Sequence, residues 1–275
     1  MSVFDEPKID THAHIFDPVK FPYDPTIRFH PAGHELGTAV QYGHVMKTYG
    51  IRHAILSQPN SGYGGDNSYI LDTIAKGRAG RFKGMAIIPH DIDLAALRKL
   101  KDQGIVGAAL NPPFDGVEYY KNARGLFANL AELDMFVQIQ ADPDQLFAFL
   151  PWIEEIAVKV VFDHCGRPNV EAGLDQPGFK AMLGLAKSGR VTIKIGGYPK
   201  YSRRPYPFED TWPYVHAILD AFTPQQCMWG SDWPFLRVPE RQDLGPLIAL
   251  IETFVPKAAD RHAVFWETPR RLYDF

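Results

Sequence analysis

The chain reads as short apolar runs separated by longer stretches in which apolar residues recur at helical spacing. Eight runs stand out: Ile9–Phe16, Ala54–Ser57, Gly84–Ile88, Val106–Leu110, Phe136–Gln140, Val158–Phe162, Val191–Ile195 and Cys227–Gly230. Most are continuous rather than alternating, the pattern of strands covered on both faces. Between them, Asp66–Ala79, Asp93–Gln103, Arg124–Asp134, Asp142–Glu155, Gly178–Ser188, Glu209–Phe222 and Gln242–Phe254 carry amphipathic helical patterns, the first placed behind Asp66 as a cap. Eight strand–helix units in 275 residues have the size and rhythm of one α/β domain, a single (β/α)8 TIM barrel over residues 1–275. The alternative is an open doubly wound sheet. That fold wants a glycine-rich phosphate turn after its first strand, and here the first strand runs into His12-Ala13-His14-Ile15-Phe16-Asp17-Pro18. Two stretches exceed a minimal barrel, Pro18–Gly37 and Gly196–Pro207. Both follow strand ends on the side where barrels build their pockets.

Composition narrows the class. Hydrophobic content of 45% and charged content of 22% are those of an ordinary globular protein. A net charge of −3 gives no footprint for nucleic acid or an anionic membrane. No apolar run reaches the roughly 20 residues that span a bilayer. Met1–Pro7 is acidic and lacks the features of a secretory leader, so the expected location is cytoplasmic. Cys165 and Cys227 lie outside any CxxC pattern and are expected to be reduced.

The polar residues that interrupt the apolar runs carry the chemistry. His12 and His14 are one residue apart on the first strand, so they share a face. Paired imidazoles at a strand end suit metal ligation, proton transfer or carbonyl polarisation. Two further constellations follow, Asp163-His164-Cys165-Gly166-Arg167-Pro168 and Trp229-Gly230-Ser231-Asp232-Trp233-Pro234. In a barrel, His12, His14, His164 and Asp232 would meet at the C-terminal mouth. Strand alternation sends Asp163 to the face opposite His164, as a structural partner. His30, His34, His53, His90, His216 and His262 read as surface or loop residues.

These motifs, with Tyr63-Gly64-Gly65-Asp66-Asn67 after the second run and the closing Pro269-Arg270-Arg271-Leu272-Tyr273, resemble the amidohydrolase superfamily. Within it the chain is similar to the branch of 2-pyrone-4,6-dicarboxylate lactonases and sugar lactonases. The resemblance covers nearly the whole chain in motif order. It implies a (β/α)8 barrel with His12, His14, His164 and Asp232 as the catalytic set. It also implies hydrolysis of an anionic lactone, resembling a pyrone dicarboxylate, a muconolactone or a sugar-acid lactone, in aromatic or sugar-acid breakdown. Asp232 would act as general base on water and the histidines would donate to the carbonyl oxygen. Binuclear members take ligands from the fourth and fifth strands; here those strands offer Leu110-Asn111 and Gln138-Ile139-Gln140 instead. The lactonases work without metal, so no cofactor is expected; the alternative is one zinc held by His12, His14 and Asp232.

The substrate positions depart from the dicarboxylate pattern. The arginine before the fourth-strand asparagine is missing at Ala109, and the loop tyrosine is replaced by Phe29. Arg28, Ser61, Tyr63, Asn111, Lys200, Arg203 and Trp233 are the candidate substrate contacts. Arg204 and Arg237 are further cations near an anionic group, and Tyr198 and Tyr201 are further rings to pack on a flat substrate. The competing readings are a zinc-dependent decarboxylase, a lactone isomerase on the same site, and a non-catalytic small-molecule binder.

Overall fold

The computed structural model describes residues 2–77, 80–238 and 240–275. Eight strands form one parallel sheet in the order β1 to β8: Lys8–Ala13, Ile51–Ser57, Phe82–Ala86, Ile105–Leu110, Phe136–Ile139, Lys159–Phe162, Val191–Ile195 and Cys227–Trp229. Each coincides with one of the eight apolar runs, because burial on both faces of a parallel sheet demands continuous hydrophobicity. The sheet closes where β8 returns to β1. Thr11 Oγ1 donates to the Trp229 carbonyl at 2.7 Å. Asp232 N donates to His12 O at 2.8 Å, and His14 N to Trp233 O at 2.7 Å. Gly230 is required at this seam, since a Cβ there would stand 2.8 Å from the His12 Cβ.

The outer layer comprises α1 (Ala39–Thr48), α2 (Ser68–Lys76), α3 (Leu94–Asp102), α4 (Pro112–Asp115), α5 (Arg124–Glu132), α6 (Leu150–Glu155), α7 (Pro177–Gly184), α8 (Trp212–Phe222), α9 (Leu244–Phe254), α10 (Ala258–His262) and α11 (Thr268–Tyr273). Three helices differ from the sequence pattern for physical reasons. The segment 142–155 divides into a 3-10 stretch, Pro143–Ala148, and α6, because Pro151 has no N–H for a continuous helix. The helix begun near Asp66 ends at Lys76 with Gly77 as its cap; Ala79 lies outside the described residues. The unanticipated α1 has weak amphipathy, with Val40 70% exposed, and is set by the reciprocal Thr38–Gln41 capping box.

The two ends of the barrel differ. At the N-terminal end, Ile55, Met85, Phe136, Val161 and Met228 form an apolar plug sealed by Tyr273 from α11. Lys83 holds that closure by donating to the Asp274 carbonyl at 2.8 Å and to the Tyr273 carbonyl. The opposite end carries the polar cluster. Both cysteines are free and buried. No helix among the described residues is long and apolar enough to cross a membrane.

Candidate active site

Four side chains far apart in sequence converge at the C-terminal mouth. His12 and His14 leave β1 with their Nε2 atoms 3.1 Å apart. The His12 and His164 rings lie 4.7 Å apart, centroid to centroid. Asp232 Oδ1 stands 3.8 Å from His12 Nε2, 3.7 Å from His14 Nε2 and 3.8 Å from His164 Nε2. That oxygen is buried and, among the described residues, has no hydrogen-bond partner. The other carboxylate oxygen, Oδ2, takes the Lys200 ammonium at 3.1 Å.

Local backbone geometry aims these groups. After β6 the chain enters the left-handed region at His164 (φ 50°), Cys165 (φ 57°) and Arg167 (φ 46°). Asp232 does the same after β8, at φ 59°. Such conformations cost about 1–3 kcal/mol each and persist where the surroundings over-determine them. Gly197 makes room for His164; a Cβ there would meet the His164 Nδ1 at 2.2 Å.

The left-handed turn also overturns the expectation for Asp163. Because alternation stops at Phe162, Asp163 and His164 both face inward. Asp163 Oδ1 lies 3.1 Å from His12 Nδ1 and 3.0 Å from the Lys194 ammonium. Lys194 also donates to Gln138 Oε1 at 2.5 Å. His14 Nδ1 donates to the Ser57 carbonyl at 2.7 Å, which leaves its Nε2 lone pair toward the cavity. Asp10 acts behind the site, accepting from Tyr42 Oη at 2.6 Å and from Ser231 N at 2.8 Å, and so clamps α1 and the β8 loop to β1.

Burial and charge set the ionisation. Burial opposes ionisation of Asp232, but Lys200 and the surrounding imidazoles outweigh it and hold the carboxyl well below the usual range. Asp163 follows the same logic, with His12 and Lys194 overcoming burial. Burial lowers His12, against the pull of Asp163, and pushes His164 down to about 3, so His164 is neutral at neutral pH.

His12, His14, Asp163 and Lys200 line a cavity of about 340 Å³, and Asp232 and His164 lie directly against those residues. Of the anticipated substrate contacts, Ser61, Asn111 and Lys200 line it. Arg28 stands behind the wall, its guanidinium 4.2 Å over the Phe114 ring. Three contacts lie elsewhere. Tyr63 stacks on Phe16 and its hydroxyl accepts from Asp17 N at 2.9 Å, so it secures the first long loop. Trp233 stacks on Tyr42 behind the seam. Arg203 is exposed, its backbone N–H tied to Asp210 at 2.6 Å. Tyr198 and Tyr201 are buried away from the cavity.

Arg237 is one of the cations expected near an anionic group, whereas Arg167 and Lys194 escape the sequence reading. Arg167 and Arg237 both reach the cavity, and among the described residues neither guanidinium makes a hydrogen bond. The Arg167 Nε lies 3.5 Å from Asp142 Oδ1. Lys194 had a visible signal: it is a charge inside the apolar run Val191-Thr192-Ile193-Lys194-Ile195. Gln138 on β5 and Gln140 just after it had a related signal, an uncharged polar residue in an apolar run.

The donor set fits one divalent cation. His12 Nε2, His14 Nε2 and Asp232 Oδ1 lie within 4.8 Å of one another, and the orphaned Oδ1 is an available ligand atom. The carboxylate of Asp163 behind His12 is the kind of partner that orients a ligating imidazole.

The barrel with this mouth is that of a hydrolytic (β/α)8 enzyme. The amidohydrolase family model matches residues 9–275, and the chain belongs to that family. It is 32% identical over 275 residues to 4-sulfomuconolactone hydrolase of Rhizobium radiobacter, covering 96% of this chain and 89% of the relative. It is 28% identical over 269 residues to D-galactarolactone isomerase of Agrobacterium fabrum, covering 96% and 90%. A crystal structure of a probable 2-pyrone-4,6-dicarboxylic acid hydrolase from Acinetobacter baumannii, with citric acid bound, superposes with a TM-score of 0.84 at 25% identity, covering 98% and 99%.

Proposed function

We propose that the chain opens an anionic lactone by attack of water on the ester carbonyl, with Asp232 as general base. The observation that carries this reading is the buried, unpartnered Asp232 Oδ1 among three imidazoles, under a cavity lined by Arg167, Lys200 and Arg237. Water bound at Oδ1 gives up one proton to the carboxylate as its oxygen bonds to the carbonyl carbon. The Lys200 ammonium, 3.1 Å from Asp232 Oδ2, is the cation that faces the carbonyl oxygen as it gains negative charge. The ring C–O bond then breaks, and the proton held by Asp232 passes to the leaving oxygen. The products are a hydroxyl group and a carboxylic acid, which ionises to the carboxylate and releases one proton to solvent. Arginine is the cation suited to gripping a planar carboxylate in two places, which is the work assigned to Arg167 and Arg237.

A divalent cation, when bound, would sit on His12, His14 and Asp232 and polarise the carbonyl or acidify a water. The buried cluster is already balanced: Lys194 faces Asp163 and Lys200 faces Asp232. A dication would add uncompensated charge to it. The proposal is therefore that turnover needs no metal. Exhaustive chelation should leave the rate of lactone opening unchanged; a loss restored by zinc would overturn this part, and zinc-dependent release of carbon dioxide from an aromatic acid, without lactone opening, would favour a decarboxylase.

Screening lactones by proton release at constant pH tests the main reading. Carboxylated or sulfonated five- and six-membered lactones should release acid at a rate proportional to enzyme. A second reading, isomerisation, draws support from the similarity to D-galactarolactone isomerase. In it, a substrate hydroxyl replaces water at Asp232, and the lactone ring shifts without net proton release. Carbon NMR of the same reactions separates the two.

A further inference from the structure

One wall of the cavity is a hydrogen-bonded ladder that the reaction scheme leaves unused. His164 Nε2 lies 3.1 Å from Gln140 Oε1. Gln140 Nε2 donates to Asn111 Oδ1 at 3.1 Å, and Asn111 Nδ2 donates to Asn60 Oδ1 at 3.0 Å. Asn60 Nδ2 donates to Asp115 Oδ2 at 2.9 Å, and Tyr120 Oη also donates to that oxygen. Tyr120 Oη in turn accepts the Asn111 backbone N–H at 2.8 Å, which fixes the direction of its own proton.

Every rung runs the same way, and the ends dictate it. An ionised carboxylate only accepts, so Asp115 obliges Asn60 to turn its NH2 outward and its carbonyl toward Asn111. Asn111 and Gln140 must follow. The last carbonyl faces His164, whose Nε2 then carries the proton. The other end agrees, because His164 Nδ1 has no acceptor among the described residues and packs against Gly197. Three carboxamides are thereby locked. Each carbonyl oxygen already accepts a bond within the ladder, while each nitrogen keeps a second hydrogen. Asn60, Asn111 and Gln140 all line the cavity.

We infer that this wall, oriented by Asp115, is set to bind an oxyanion or carbonyl, so that the favoured lactones are acidic and sparsely hydroxylated rather than polyhydroxylated sugar lactones. Hydroxyl-rich rings need acceptors as well as donors, and the ladder has committed its acceptors to itself. Asp115 touches no reacting atom; it is a positioning residue acting through Asn60. The inference rests on the lactone-opening reading for its functional meaning, but its test does not depend on turnover.

The test is calorimetric binding of two unreactive probes to the full chain, sulfosuccinate and D-gluconate. Sulfosuccinate should bind at least about tenfold more tightly, the scale of one charge-assisted hydrogen bond. Asp115→Leu frees the amides to turn, and the preference should fall toward unity; Asp115→Glu should restore it. If Asp115→Leu does not fold, Asn60→Leu cuts the ladder one rung later and should give the same loss. Equal or tighter binding of D-gluconate by the unmodified protein would overturn the inference, as would an unchanged preference in the folded cut-ladder variants. Selective probe binding without hydrolysis of any lactone would instead retire the lactonase reading and leave the ladder standing.

Discussion

The two ends of the barrel are built from the same strands, two residues apart. Val161 lies in the floor and Asp163 in the mouth; Phe136 lies below and Gln138 above; Ile55 lies below and Ser57 above. One step of strand periodicity, roughly 7 Å, separates a dry plug from a cluster of ionised groups. At the floor the left-handed residues, Asp134 and Asp274, lie in turns beside the plug. The mouth concentrates left-handed residues, buried charge and an unpaired carboxylate oxygen. Stability and chemistry are thus assigned to opposite ends of each strand, the division expected where barrel enzymes keep their sites at the C-terminal face.

The largest effect that would sharpen this contrast is on the mouth. Asp232→Asn should lower kcat by about 10²–10⁴-fold. Chemical denaturation should show a loss of stability, since the substitution leaves the Lys200 ammonium without its buried carboxylate, so kcat is compared per folded molecule; near-normal turnover in the folded variant would break the assignment. At the floor, Phe136→Ala should cost about 3–5 kcal/mol of stability, read by urea unfolding, with kcat per folded molecule unchanged. A matching fall in kcat would mean that the two ends are coupled. Arg167→Ala should raise KM by about 10–100-fold with a smaller effect on kcat, because it removes a charge-assisted contact made to substrate and transition state alike.

The smallest effect is a pH dependence. Burial lowers His164 from its ordinary 6.5 to about 3. Between those values the unfolded chain binds a proton that the folded one refuses. The stability this provides is therefore present above about 6.5 and is lost as pH falls toward 3. Unfolding midpoints measured across that window should decline with acid, and His164→Gln should flatten the decline. An unaltered slope would place the titrating group elsewhere.

How much of this was legible in the sequence follows from the same contrast. Floor and strands were legible because double-sided burial writes itself as unbroken apolar runs; β7 was bounded to the residue. His12, His14 and Asp232 were legible because ionisable residues at strand ends have few other reasons to be there. Asp163 was misread because period-two reasoning fails once the backbone turns left-handed, and nothing in Asp-His-Cys-Gly-Arg announces four consecutive residues at positive φ, three of them not glycine. Lys194 was legible and went unread. Tyr63 and Trp233 looked like substrate platforms because flat rings near motifs do; their packing against Phe16 and Tyr42 depends on loop paths that local pattern does not encode. Arg167 belonged to a quoted motif, but its aim into the cavity is again a consequence of that left-handed turn.

The seam that closes the barrel has a consequence for assembly. The hydrogen bonds from Thr11, His14 and Asp232 that join β1 to the β8 loop span more than two hundred residues of chain, and the same bonds seat the base beneath its histidines. Contacts of such long range form late. Helices and inner strands can therefore be in place while the reactive centre is still open, which makes turnover the most sensitive gauge of whether the ring has shut.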